Sequence, residues 1–186
     1  PFDVKPSGAA FFERLQFAPD RPCRIAVVPK AAPDTAQWFE ADFTAAYHFG
    51  DAYHRNGRIV MRTVRHDDIN EARSPMHAAM AGDAAHATNS NASLRELHLD
   101  LRTGKAHWEE TGIQGIEFPL FDRRSAGGRG ARLYAPAMQG ETTAPYFNAV
   151  ASYDVDRGRR EVHRYGRDIL AEEHVFVPRP GSRSAD

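Results

Sequence analysis

A single cysteine, Cys23, leaves this 186-residue chain without an internal disulfide. There is no CxxC spacing either, so a thiolate zinc site or a redox dithiol is excluded, and a reducing, cytoplasmic compartment is the expectation. Charge of one sign is also missing: 24 Lys and Arg stand against 25 Asp and Glu, for a net charge of −1. Without a positive excess, the long-range attraction that brings a protein to nucleic acid or to an anionic membrane is absent. No apolar run exceeds a few residues, which is far short of a membrane-spanning helix. Large aliphatics are scarce as well, with Leu, Ile, Val and Phe supplying 35 of the 186 residues, about 19%. So thin a core signals disorder only when net charge is high, and here the net charge is near zero while aromatics make up 10%. The length suits one domain. The chain starts at Pro1 without an initiator methionine, however, and the expectation is a piece of a larger fold whose other parts complete the core.

What is present reads as strands and turns. Arg24-Ile-Ala-Val-Val28 is an apolar run closed by Pro29 and followed by the Pro/Ala-rich stretch 31–34, which cannot extend it. The aromatic-rich stretch from Trp38 to Phe49 leads to Asn56-Gly57 and then to Arg58-Ile-Val-Met-Arg-Thr-Val64. Asn-Gly between two such runs is a strong hairpin signal. Residues 67–91, rich in Ala, Met and His, lack a clear period and are read as a loop with one short helix. Leu97, Leu99 and Leu101 alternate before Arg102-Thr-Gly104 and Lys105-Ala-His-Trp108, giving a second hairpin bracketed by Asp100 and Gly104. The same grammar returns 54 residues later, with Asp154 and Gly158 framing the turn between 149–155 and 159–165. A hairpin unit that recurs at about 50 residues is the pattern of β-propeller blades, which places a propeller ahead of a sandwich or barrel.

Nine histidines are candidates for chemistry, but none forms the HExxH pair that sets two ligands on one helical face. His48 stands apart because its neighbours, Tyr47 and Phe49, predict a buried aromatic strand. A buried imidazole needs a partner at each ring nitrogen, and either structural hydrogen bonds or a metal with a supporting carboxylate supplies them. Glu117 lies between apolar neighbours in Ile116-Glu-Phe-Pro119, where an acid is costly unless paired; a core ion pair and the orientation of a metal-bound imidazole are both open. Glu173, just before the apolar strand expected at His174-Val-Phe-Val-Pro178, invites the same two readings. Ser125-Ala-Gly-Gly-Arg-Gly130 lacks the Lys-Ser/Thr of a phosphate loop and reads as a flexible turn, and Arg157-Gly-Arg-Arg160 reads as a solvated hairpin tip. There is no GxSxG elbow, and nothing in the sequence activates Cys23 as a nucleophile.

Five blocks in order, Arg24-Ile-Ala-Val-Val-Pro29, Trp38-Phe-Glu40, Tyr47-His-Phe-Gly-Asp-Ala-Tyr53, Glu117-Phe-Pro119 and Glu173-His-Val-Phe-Val-Pro-Arg-Pro-Gly181, resemble the carotenoid cleavage oxygenases. That family includes apocarotenoid oxygenases, lignostilbene dioxygenases and the retinal-pigment-epithelium isomerase, and the resemblance covers nearly the whole chain. It implies an all-β fold, with residues 1–186 an incomplete segment of about three to four blades from a seven-bladed β-propeller, lacking the N-terminal blades and the C-terminal end. It further implies a non-haem Fe(II), Fe(2+), held by four histidines, three of them oriented by glutamates. His48 is the one implied ligand in this chain, Glu117 the acid that accepts its other ring N–H, and Glu173 the acid that orients a histidine beyond Asp186. Asp51 stands where the family usually has asparagine, and His174 where proline is common.

The implied reaction is O2-dependent cleavage of a C=C bond in an apolar polyene or stilbene, with Phe43, Phe49, Tyr53 and Phe118 as candidate substrate-lining or core residues. With one of four iron ligands, the isolated chain is expected to be inactive and poorly folded. The contrasting expectation is a non-catalytic propeller module for binding or interaction, with His48 purely structural. Any membrane-docking surface of the family is expected to lie largely outside this segment.

Overall fold

A computed structural model of the chain describes residues 2–4, 15–18, 20–42, 44–66, 74, 77–78, 80–83, 92–130, 132–139, 147–166 and 169–182. Twelve strands form four antiparallel sheets. The first two are pairs: β1 (Phe2–Val4) with β2 (Leu15–Phe17), and β3 (Cys23–Val27) with β4 (Gln37–Ala41). A four-stranded sheet then follows in sequence order, β5 (Phe49–Arg55), β6 (Arg58–Arg65), β7 (Ser93–Asp100) and β8 (Ala106–Gln114). The last sheet contains β9 (Leu120–Phe121), β10 (Leu133–Ala137), β11 (Ala149–Asp154) and β12 (Arg159–Arg164), again as a meander of neighbours. No helix among the described residues is long and apolar enough to cross a membrane.

Local chemistry explains the turns. Asn56 and Gly57 join β5 to β6 with φ of 51° and 73°, the doubly left-handed geometry whose twist matches that of the flanking strands. Asp100 accepts from the amides of Arg102 and Thr103 in the β7–β8 turn. Asp154 accepts from the amide of Arg157 in the single 3₁₀ turn, 155–157, between β11 and β12. The glycine-rich stretch after Phe121 starts with a 3₁₀ turn at 123–125 capped by Asp122, and Gly127 makes a parallel bridge to Tyr53. In the region expected to hold a short helix, residues 74, 77, 78 and 80 are helical, and most of the rest lies outside the described residues.

Packing places β6 at the centre. Val60, Arg62, Thr63 and Val64 are all buried, so both of its faces are covered. One cluster joins Val64, Leu94 and Ile116 to Leu133, Ala135, Ala137, Ala151 and Tyr153 of the last sheet. The alanines explain how a chain poor in large aliphatics closes this seam, because small side chains let the two sheets approach closely. A second cluster joins Leu97 and Leu99 to Phe39 and Ala41 of the β3–β4 pair. Pro136 is tolerated in β10 because β9 pairs only with Leu133 and Tyr134, which leaves Pro136 past the end of that ladder. β12 is exposed along its length, and its Arg and Glu residues charge the sheet edge against further pairing.

Polar groups hold the same seam. Arg62 is buried and donates to Asp51 (3.1 Å), Glu96 (2.8 Å) and Asp156 (3.0 Å), linking three strands of one sheet to the 155–157 turn of the other.

Two expectations are corrected. His48 is not in a buried strand: it precedes β5, outside the ladder, and its side chain is 37% exposed. The register of β5 against β6 shifts between Phe49 and Ala52, and this irregularity ends the regular pairing before His48. The expected strand at His174–Pro178 forms no ladder among the described residues, with Val175 and Val177 85% and 79% exposed. Period-two apolarity marks a strand, but a strand requires a neighbour to bond with, and the described residues supply none.

Candidate functional site

Glu117 is the hub of the site. The chain leaves β8 through Gly115, bridges back at Ile116 to Ala137, and so carries residue 117 to the inner end of the seam. Oε2 of Glu117 lies 2.9 Å from Nδ1 of His48, and Oε1 lies 2.5 Å from Nε2 of His66. The amide of Phe118 donates to Oε2 at 3.1 Å. Burial acts to raise the carboxyl, but the hydrogen bonds from His66 and His48 and from the Phe118 amide outweigh it and hold the group below its ordinary value. Glu117 is therefore an anion at neutral pH, anchored between two imidazoles.

His48 is fixed from both ends. Its carbonyl accepts from the Thr63 hydroxyl (2.8 Å) and the Val64 amide (3.1 Å), and its ring packs 4.3 Å from that of Phe118. With Nδ1 engaged by Glu117, Nε2 has no hydrogen-bond partner among the described residues, on a side chain that is 37% exposed. A carboxylate at one ring nitrogen with the other free is the arrangement that prepares a histidine for a metal. His66 shares half of this arrangement, with Nε2 on Glu117 and a buried Nδ1 that has no hydrogen-bond partner, but its side chain is 2% exposed whereas that of His48 reaches solvent. Phe118 adopts φ of 50°, a left-handed backbone that costs a non-glycine residue about 1 kcal/mol and turns its ring onto His48.

The structure thus brings together three of the residues singled out in the sequence: His48, Glu117 and Phe118. It separates the others. Phe49 is 56% exposed and lines a cavity of about 630 Å³ with Ile25, Met61, Leu97 and Trp108. Tyr53 is buried in the inter-sheet seam, its ring 5.7 Å from the Arg62 guanidinium. Glu173 is exposed and has no hydrogen-bond partner among the described residues, while the neighbouring His174 lies 3.2 Å from the Tyr165 hydroxyl. Phe43 lies outside the described residues. His66 is the participant that sequence reasoning missed. It closes β6 in phase with the buried Val60, Arg62 and Val64, and this period-two position was the available signal.

An all-β protein of two- and four-stranded antiparallel sheets, carrying an acid-anchored histidine just ahead of a strand, is the class defined by this fold and site. The family model described as Retinal pigment epithelial membrane protein matches residues 1–186, and the chain belongs to that family. It is 22% identical over 178 residues to an apocarotenoid-15,15'-oxygenase of Synechocystis sp., covering 94% of this chain and 35% of that protein. It is 28% identical over 187 residues to a carotenoid cleavage oxygenase of Mycobacterium tuberculosis, again covering 94% of this chain and 35% of that protein. Among solved structures it superimposes on Pseudomonas brassicacearum lignostilbene dioxygenase with a TM-score of 0.75 at 20% identity, covering 100% of this chain and 41% of the other. A cobalt-substituted Synechocystis ACO gives a TM-score of 0.75 at 20% identity over 95% of this chain and 36% of the other. The chain thus spans about 35% of the length of these curated relatives.

Proposed function

We propose that the protein to which this chain contributes is a non-haem Fe(II) dioxygenase that cleaves a C=C bond of a carotenoid, apocarotenoid or stilbene with O2. The observation that carries the reading is the His48–Glu117 pair, with Nδ1 held by a buried carboxylate and Nε2 free. Membership of a family whose curated relatives are carotenoid oxygenases supports the substrate class. In this reading the four sheets are successive blades, three to four of a seven-bladed propeller, with His48 at the inner start of its blade.

His48, whose Nδ1 is held by Glu117, would hold the iron together with histidines from the rest of the protein. Iron bound there supplies activation of O2 beside the double bond. The chain's own residues do the rest. Glu117 keeps the His48 proton on Nδ1, fixes the plane of the ring and offsets part of the metal's charge. Phe118 packs its ring against the imidazole and helps fix its position. Phe49 and the cavity beside it offer an apolar wall of the kind a polyene or stilbene requires. Glu173, exposed in this chain, is assigned to a histidine outside it. A cytoplasmic setting belongs to the same proposal and is supported by Cys23, a free thiol donating to the Thr44 carbonyl.

Full-length protein tests this directly. His48→Ala abolishes iron binding and cleavage of an apocarotenoid or stilbene, and Glu117→Gln lowers activity less severely. The 186-residue chain alone binds no stoichiometric iron. A fully active His48→Ala variant overturns the assignment and leaves a non-catalytic binding module with a structural histidine.

A further inference from the structure

The outer edge of the β5–β8 sheet carries a second constellation that the iron site does not use. Antiparallel register sets His98 of β7 directly opposite His107 of β8, and Glu96 opposite Glu109. The two imidazoles stack with centroids 5.0 Å apart and planes 17° from parallel. Nε2 of His107 lies 3.0 Å from Oε1 of Glu109, and Nε2 of His98 lies 3.4 Å from Oε2 of the same residue and 3.2 Å from Oε2 of Glu96. One donor atom from each of His98, His107 and Glu109 falls within 4.8 Å of the others.

We infer that His98, His107 and Glu109 form a binding site for a divalent late first-row transition ion, Zn²⁺ being the type, at the periphery of this sheet. Two imidazole nitrogens and one carboxylate oxygen are a zinc donor set, and small side-chain rotations would bring them to a common ion. Two carboxylates directly opposite each other across a strand pair repel, so Glu96 and Glu109 call for a cation between them. Glu96 is already fixed through its other oxygen by Arg62 Nε at 2.8 Å, which ties the site to the buried network. Along the face that runs from Asp51 to Glu109, four carboxylates, Asp51, Glu96, Asp156 and Glu109, meet two guanidiniums, Arg62 and Arg129. Arg58 is paired with Asp100. His107 is 56% exposed, which gives an ion a path in and leaves remaining positions to water. Occupied, the site would staple β7 to β8.

Calorimetric titration of Zn²⁺ into iron-loaded full-length protein tests the inference, with Co²⁺ as a spectroscopic substitute. One equivalent is expected beyond the iron. Affinity should fall tenfold or more in both His107→Gln and the His98→Ala/His107→Ala double variant, and should survive in His48→Ala. Both altered side chains lie on an outer strand pair, and a circular dichroism spectrum matching the parent's confirms the fold. Three results would each overturn the site: no binding at about 100 μM Zn²⁺, which leaves a proton as the bridging cation; an unchanged isotherm in the double variant; or loss of the equivalent in His48→Ala alone.

Discussion

One carboxylate serving two histidines makes Glu117 the most consequential residue of this chain. Its removal leaves Nε2 of His66 buried without a partner and frees the ring of His48. Glu117→Ala should therefore destabilise the fold by about 2–3 kcal/mol, read as a lowered denaturation midpoint, whereas Glu117→Gln keeps an acceptor and should cost less. Phe118 gives a second check at this scale. If its left-handed backbone is imposed by the site, Phe118→Gly should be more stable than Phe118→Ala by up to about 1 kcal/mol in paired melting curves, although both lose the ring packed on His48. His48 and Glu117 were legible from short motifs, because an acid among apolar residues and a histidine among aromatics are each anomalous. That one anomaly answers the other is a contact across 69 residues, which no local pattern encodes. His66 escaped notice because a histidine at the end of an apolar strand looks like a boundary residue.

Hairpins were the most legible elements. All three turns follow from side chains that bond to their own backbone or accept a positive φ, so sequence neighbours suffice to specify them. Asp100 and Asp154 also give a pH prediction. Hydrogen bonds from the Thr103 amide in the first case, and from the Arg157 side chain and amide in the second, hold these carboxyls below their ordinary value of 3.8. Their contribution to the turns is present in full above pH 3.8 and is lost as pH falls below it through the depressed folded values. Protection of the Thr103 and Arg157 amides, measured against the intrinsic exchange rate at each pH, should fall over that window. Gly57→Ala should instead cost about 1 kcal/mol at any pH. The elements misread were those decided by partners. The approach to His48 bends out of its ladder at an irregular register, and 174–178 has strand chemistry with no strand beside it.

Across the whole molecule, the sheets are joined by small side chains and by one buried cation. The sequence showed too few aliphatics for an ordinary core. It did not show that alanines on β10 and β11 would let two sheets meet closely, or that Arg62 would be drawn inside. Asp51, conspicuous as an aspartate where asparagine was expected, proves to be a buried counter-charge to that arginine. Arg62→Met should therefore destabilise by about 3–5 kcal/mol, because it strands Asp51 in the seam. Arg62→Met combined with Asp51→Asn should recover part of the loss, and urea denaturation of the three variants measures this coupling. The valines that project from 172–179 have a consequence of another kind. Val175 and Val177 are exposed while Phe176 between them packs on Tyr134, which leaves two β-branched side chains in solvent. Exposed apolar side chains of this kind favour association between copies of the chain. Light scattering of the isolated chain should rise steeply with concentration, and replacing both valines with lysine should flatten that rise.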